Sequence, residues 1–228
     1  MVSLKMVSCG ITNQFFEDPQ QFRSNAFKNS GIQHLDIGFN AIRASGAHRL
    51  LTSANWTSLQ SLHCTCIVDN PADSYQLLRN LSDCCRVENC SLSELRLDNC
   101  LFGSDSVSEL CRLIGFSRKL TNLSMSSNDD VTSFDMQRLI KASAANTSKL
   151  KVLMFGDCSL VSPLTMEFLE ALRCKLTAVC PLQEVAFTVD ELMESDRVRL
   201  SALWRGRWGE SAVCRFSGES VQLTLVKL

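Results

Sequence analysis

Little in this sequence points to chemistry. The 23 lysines and arginines stand against 24 aspartates and glutamates, a formal net charge of −1. That balance removes any global reason to expect nucleic acid or an anionic membrane as partner. No apolar run approaches the length of a membrane span, and no basic-then-apolar leader opens the chain. The phosphate-cradling G-x-x-x-x-G-K-[ST], the nucleophile elbow G-x-S-x-G and the zinc-protease H-E-x-x-H are all missing. His34, His48 and His63 lie in three different places in the repeat frame, and neither His34 nor His63, which could line the concave face, has an evident nucleophile or carboxylate arrangement around it. Arg205-Gly206-Arg207-Trp208 mixes basic and aromatic residues but sits beside Glu194, Asp196 and Glu210, as a solvated helix end does. The chain is therefore expected not to be an enzyme, and to need no cofactor and no metal.

What is present is a recurring pattern. The stretch from Leu92 to Phe102, LSELRLDNCLF, reads L-x-x-L-x-L-x-x-C-x-F. In such a stretch Leu95 and Leu97 alternate on a short strand and point into one core. The slot held by Cys100 falls where the chain leaves the strand. A small polar side chain there can bond backbone groups that the bend leaves unpaired. The same spacing recurs at Leu4-Met6-Cys9, Leu35-Ile37-Asn40, Leu123-Met125-Asn128, Leu153-Phe155-Cys158 and Val185-Phe187-Asp190. It recurs once more at Leu62-Cys64, but with Ile67 in the polar slot, so that turn is expected to be irregular. The units start near 1, 32, 59, 92, 120, 150 and 182, at intervals of 27 to 33 residues. This is the leucine-rich-repeat signature at its long end, with room for a helix in each unit.

Helical spacing fills the intervals. Residues 44–54 carry Ala47, Leu50, Leu51 and Ala54; 74–85 carry Leu77, Leu78, Leu81 and Cys85, after Pro71 in a first turn. Residues 104–115 carry Val107, Leu110, Cys111 and Ile114, with Gly115 as the stop. Residues 133–144 carry Phe134, Leu139, Ile140 and Ser143; 163–174 carry Met166, Leu169, Ala171 and Leu172. Residues 14–28 are anchored by Phe15, Phe22 and Phe27. The tail departs from the period: a helix over 194–208 with Val198, Ala202, Leu203 and Trp208 as core contacts, then strands over 212–216 and 221–227 forming a hairpin. The predicted fold is α/β, a leucine-rich-repeat solenoid with parallel strands on the concave face and helices on the convex face. Repeats occupy 1–193 and a helix-hairpin cap 194–228. Met1 falls inside a repeat with nothing capping it, which reads as the C-terminal piece of a longer protein or a truncated gene model.

Twelve cysteines fit this scheme without disulfides. Cys9, Cys100 and Cys158 take the polar slot, and Cys85, Cys111 and Cys174 fall on helix faces, so reduced intracellular thiols are expected. Neither Cys64-x-Cys66 nor Cys84-Cys85 with Cys90 has the paired spacing of a structural zinc site. Asn55, Asn80, Asn89, Asn122 and Asn146 each begin an N-x-S/T triplet, the one feature that speaks for secretion.

Without a catalyst, function falls to the concave face. The side chains flanking the buried leucines are Ser3, Lys5, His34, Asp36, His63, Glu94, Arg96, Asp98, Asn99, Ser126, Met154, Asp157 and Glu184. The candidate partner-binding set is His34, Asp36, His63, Glu94, Arg96, Asp98, Asn99, Asp157 and Glu184, a polar row more acidic than basic. It suits a protein with a basic or mixed surface, and replacing these side chains should leave folding nearly intact. A leucine-rich regulator of another kind, a small-GTPase activator or an immune-type sensor, is the alternative. An activator would need an arginine at an edge loop, for which Arg43 and Arg96 are the candidates.

Three stretches carry a family resemblance. LRLDNCLFGSDSVSELCRLIGFSRKLTNLSMSSNDDVT at 95–132 and LKVLMFGDCSLVSPL at 150–164 resemble late repeats of Tonsoku-like proteins. PLQEVAFTVDELMESDRVRLSALW followed by CRFSGESVQLTLVKL is similar to the way that family closes. The resemblance implies a nuclear scaffold acting at stalled or broken replication forks in homologous recombination. It also implies that the leucine-rich repeats hold a large repair-complex subunit supporting recombinase loading. The family's tetratricopeptide and ankyrin segments are missing from this chain, so histone reading is not carried over.

Overall fold

The computed structural model describes residues 2–18, 20–145, 147–158, 181–188, 193–209, 212–217 and 220–225. The strands are β1 (Ser3–Lys5), β2 (His34–Asp36), β3 (Ser61–His63), β4 (Glu94–Arg96), β5 (Asn122–Ser124), β6 (Val152–Phe155), β7 (Glu184–Thr188), β8 (Ala212–Ser217) and β9 (Ser220–Leu225). The helices are α1 (Asn13–Glu17), α2 (Ser24–Lys28), α3 (Ala44–Ser53), α4 (Pro71–Cys85), α5 (Ser104–Phe116), α6 (Ser133–Ser143) and α7 (Glu194–Trp208). The fold is α/β, with a mostly parallel sheet that does not close into a barrel. Strands β1 to β7 lie parallel in chain order, and β9 then joins β7 antiparallel with β8 outside it.

The register follows the leucine spacing. Leu4, Leu35, Leu62, Leu95, Leu123, Leu153 and Val185 pair in succession across the sheet. All are buried except Leu4, which is half-buried because β1 has a neighbour on one side only. They share one continuous core with Leu50, Leu77, Leu81, Leu110, Leu113, Leu139 and Ile140 of the helices. Helices α3 to α6 pack in succession, each on the next. One face of the sheet is thus covered by helices, while the strand side chains on the other face are half-buried or exposed, except for buried Ser61.

The turns after β1 to β6 share a left-handed position, and Gly10 and Leu101 add a second left-handed residue to two of them. Ser8, Phe39, Cys66, Asn99, Ser127 and Asp157 have φ of 52 to 56°, each at the eighth position of its unit. The turn at Ile67 is therefore regular, contrary to expectation. Ile67 is buried there, and Cys66 N–H bonds Asp98 O at 2.9 Å just as Asn99 N–H bonds Ser126 O at 2.8 Å. The backbone of the next unit sustains the turn whatever occupies the polar slot.

Several helix details differ from the spacing argument. Residues 14–28 form two short helices, and the fully buried ring is Phe16, with Phe15, Phe22 and Phe27 packed around it. Helix α4 begins at Pro71, and Asn70 caps it by accepting the Asp73 N–H at 2.9 Å. Gly115 does not stop α5. The helix runs to Phe116 and the chain leaves in extended conformation at Ser117, so no left-handed residue is required. Phe134 is 67% exposed, because α6 buries the face set by Met136, Leu139, Ile140 and Ser143. In α7 the buried residues are Leu200 and Trp204, one turn apart, with Asp196 below them. Val198 and Ala202 are exposed on another face, and Leu203 is half-buried. The helix expected over 163–174, the slot at Asp190, Met1, Asn146, Cys174 and the Trp208 side chain lie outside the described residues.

Candidate functional site

The open face of the sheet carries two ladders of side chains. Register places Ser3, His34, Ser61, Glu94, Asn122, Val152 and Glu184 in one row. Lys5, Asp36, His63, Arg96, Ser124, Met154 and Ala186 form the second. The rows are polar across β1 to β5, apolar at β6 with Val152 and Met154, and mixed at β7 with Glu184 and Ala186.

Four of the expected residues meet at β2, β3 and β4. Glu94 Oε1 accepts Arg96 Nε at 2.9 Å and lies 3.1 Å from His63 Nε2. His63 Nδ1 stands 3.7 Å from Asp36 Oδ2. Burial pushes the Glu94 carboxyl up, but the hydrogen bonds from His63 and Arg96 outweigh it and hold the group below its ordinary value. Ser61 completes the cluster: its hydroxyl donates to Glu94 Oε2 at 3.3 Å and lies 3.1 Å from His63 Nε2. Sequence reasoning missed Ser61, although it occupies the same flanking position in its unit as His34 and Glu94.

The expectation that no nucleophile or carboxylate surrounds His63 is overturned, since Ser61, Asp36 and Glu94 all do. The order Ser61–His63–Asp36 invites comparison with a nucleophilic triad, and the hydrogen bonding argues otherwise. An ionised carboxylate can only accept, so the His63 nitrogen facing Glu94 carries a proton and cannot serve as base for Ser61. The serine is moreover buried and spends its own proton on Glu94. The arrangement orients charge; it leaves no hydroxyl free to attack.

The other expected residues are dispersed. Asp98 supports the sheet: Oδ1 accepts the Ser126 N–H at 2.7 Å and the Ser124 hydroxyl at 2.6 Å. Glu184 accepts Gln222 Nε2 of β9 at 2.5 Å. Asn99 and Asp157 are exposed in the left-handed turns, beyond the strand ends. His34 is half-buried, and its Nε2 is a buried atom with no hydrogen-bond partner among the described residues. Arg96 stands on a strand, locked to Glu94, and Arg43 precedes α3 with its Nε 3.9 Å from Asp69. Among the triplet asparagines, Asn80 is buried on α4 and Asn122 lies on β5, both poor positions for a glycan. Among the described residues no helix is long and apolar enough to cross a membrane.

Fold and site together define a mostly parallel α/β sheet protein with one face packed on helices and one polar face. Its sequence is similar to Tonsoku-like proteins. It is 25% identical to that of Mus musculus over 197 residues, 86% of this chain and 14% of the mouse protein. It is 24% identical to that of Bos taurus over 213 residues, 92% of this chain and 15% of the bovine protein. The chain thus spans only a small part of the length of these relatives. No family model matches it.

Proposed function

We propose that the chain is a leucine-rich-repeat solenoid segment serving as a non-catalytic protein-interaction module. Its repeats run to residue 193 and its C-terminal cap follows. On this reading the polar sheet face is concave and receives a protein with a basic or mixed surface. By similarity to Tonsoku-like proteins, the setting is a nuclear scaffold for replication-fork repair by homologous recombination, and the partner a large repair-complex subunit. The observation that carries the reading is the Asp36–His63–Glu94–Arg96 cluster, standing on a sheet whose backbone is paired strand by strand. Charged side chains held on a rigid sheet lose little freedom on docking, which favours their use as anchors.

The test is a pull-down from nuclear extract with the full chain as bait. Glu94→Ala with Arg96→Ala is compared with Lys141→Ala and Lys149→Ala, two exposed lysines away from the sheet face. Asp98 is left intact because it supports β5. The sheet-face variant should lose a large repair-associated subunit, since removing one anchor can cost about 2 kcal/mol of binding. The lysine variant should keep it. Loss in the lysine variant alone would move the partner to the helices.

A further inference from the structure

Away from the sheet face, the C-terminal end of α4 and the segments following α4 and α5 enclose a cavity of about 490 Å³. Its wall carries two cysteines, Cys85 and Cys90, and three cations, Arg86, Arg118 and Lys119, against one carboxylate, Glu88. Cys85 is the last residue of α4 and is buried, while Cys90 is half-buried in the loop beyond. The Cys90 N–H bonds Val87 O at 3.1 Å, which folds the loop back toward the helix end. Both cysteines thus stand on the wall of the same cavity.

The surroundings divide the pair into unlike members. The neighbouring Cys85 foremost, with the Leu92 N–H and the Lys119 charge, holds the Cys90 thiol below its ordinary value against the opposing effect of burial. Cys90 in turn, with burial and the neighbouring Cys84, pushes Cys85 up. Cys84 is itself pushed up to about 12 by burial, with Asp83 and Cys90 adding to it. A thiolate beside a protonated partner is the arrangement that supports exchange. The cations are arranged around it. The Arg86 guanidinium lies over the Phe116 ring, 4.8 Å from its centroid, and Nη1 is 3.7 Å from Asp83 Oδ1. Lys119 Nζ donates to Ser91 Oγ at 3.2 Å. Guanidinium and ammonium groups grouped in this way suit carboxylates.

We propose that this cavity is a thiol-modification site for an anionic, carboxylate-bearing low-molecular-weight disulfide, with Cys90 as nucleophile and Cys85 as resolving thiol. The Cys90 thiolate attacks one sulfur of the small disulfide. A Cys90–sulfur bond forms, the small S–S bond breaks, and the departing thiolate takes a proton from water. Cys85 then gives its proton to solvent and attacks the Cys90 sulfur of the mixed disulfide. A Cys85–Cys90 bond forms and the second small thiolate leaves, taking up a proton. In balance, two protein thiols are oxidised and one small disulfide is reduced to two thiols.

The experiment uses the full reduced chain with oxidised glutathione, and in parallel with the neutral disulfide of 2-mercaptoethanol. Samples are acid-quenched, alkylated and mapped by non-reducing peptide mass spectrometry. The wild type should form Cys85–Cys90 before the exposed Cys9 is modified. Cys85→Ser should instead retain glutathione on Cys90. The variant Arg118→Ala, which leaves Lys119 in place, should react roughly threefold more slowly with the anionic disulfide while changing little with the neutral one. Cys9 reacting first in the wild type would overturn the proposal, and that comparison needs no variant. So would a charge variant that matches the wild type with oxidised glutathione, or one that slows equally with both reagents.

Discussion

The Asn128 carboxamide oxygen accepts the Cys100 N–H at 2.9 Å, tying the turn of one unit to the turn of the next. It also accepts the Phe102 N–H at 3.2 Å, and Nδ2 donates to Leu97 O, Met125 O and Ser126 O. Asn40 repeats this a few units earlier, accepting Cys9 and Ile11 N–H groups and donating to Met6, Ile37 and Gly38 carbonyls. A cysteine in the slot does less: Cys100 Sγ donates to Cys64 O and Asp98 O, and Cys158 Sγ to Met125 O. Asn128→Leu should therefore strand several buried backbone groups and cost about 3 kcal/mol or more. Asn128→Cys should cost clearly less, because it restores the donor. Denaturant titration of the two variants checks the order; equal losses would mean that volume, not hydrogen bonding, decides the slot.

The left-handed turn position supplies an opposite case. Phe39 has φ of 56° and is 56% exposed, so it bears the steric cost of that conformation with no full burial to offset it. Phe39→Gly should raise stability by about 0.5–1 kcal/mol, the relief of strain less the added freedom of the unfolded chain. A fall in melting temperature would show that the ring packs more usefully than its exposure suggests.

Much of this was legible in the sequence. The alternation at Leu95 and Leu97, and its recurrence, located all seven parallel strands, because the core leucines and the strand period are one signal. Positions that obey a different rule were not legible. Phe134 and Val198 are apolar residues off the buried face of their helices, while Asp196 is buried although charged. Composition suggested the wrong face there because α7 mixes charge and apolar residues around its whole circumference. At the candidate site, spacing placed His63, Glu94 and Arg96 on one face. It could not show that Asp98 spends its carboxylate on β5, or that Ser61 sits between His63 and Glu94, since both depend on how adjacent units are offset.

Glu94 makes a pH prediction. Its folded value lies below the ordinary 4.5 because the hydrogen bonds from His63 and Arg96 outweigh burial. A depressed carboxyl contributes stability that is fully present above the unfolded value and lost as pH falls through the folded one. The stability gap between wild type and Glu94→Gln should be constant near neutrality and shrink as pH drops below about 4.5. It should also narrow in high salt, since the group is partly solvated. Urea titrations at stepped pH measure it; a gap unchanged into strong acid would remove the ionised cluster as its source.

Gly46 is a glycine inside α3 where helix propensity favours alanine. An added Cβ would lie 2.5 Å from Asn13 Oδ1 and 3.2 Å from Phe16 Cδ2. Asn13 Oδ1 also accepts the Gly46 N–H at 3.0 Å, so displacing it breaks the tie between α1 and α3. Gly46→Ala should destabilise the chain by about 1–3 kcal/mol despite the propensity gain. A stabilised variant would indicate that α1 can shift at little cost.

The C-terminal hairpin closes the sheet in a different manner from the strands before it. Strand β9 runs antiparallel to β7 over five residue pairs from Glu184↔Thr224 to Thr188↔Ser220, and β8 covers its far edge. Ala212 and Val221 are buried, and Arg197 of α7 lies 5.3 Å from the centroid of the Phe216 ring. Removing residues 209–228 would leave β7 as an edge with unpaired N–H and C=O groups above an opened core. Such an edge is a template for another chain. The truncated protein should melt lower and associate as its concentration rises, which paired thermal melts and light scattering would record. Replacing only Val221 by Asp should reproduce the lower melt while the rest of the hairpin is retained, since it places a charge in the core. A truncated chain that stays monodisperse with an unchanged melt would show that the parallel sheet needs no closing element at β7.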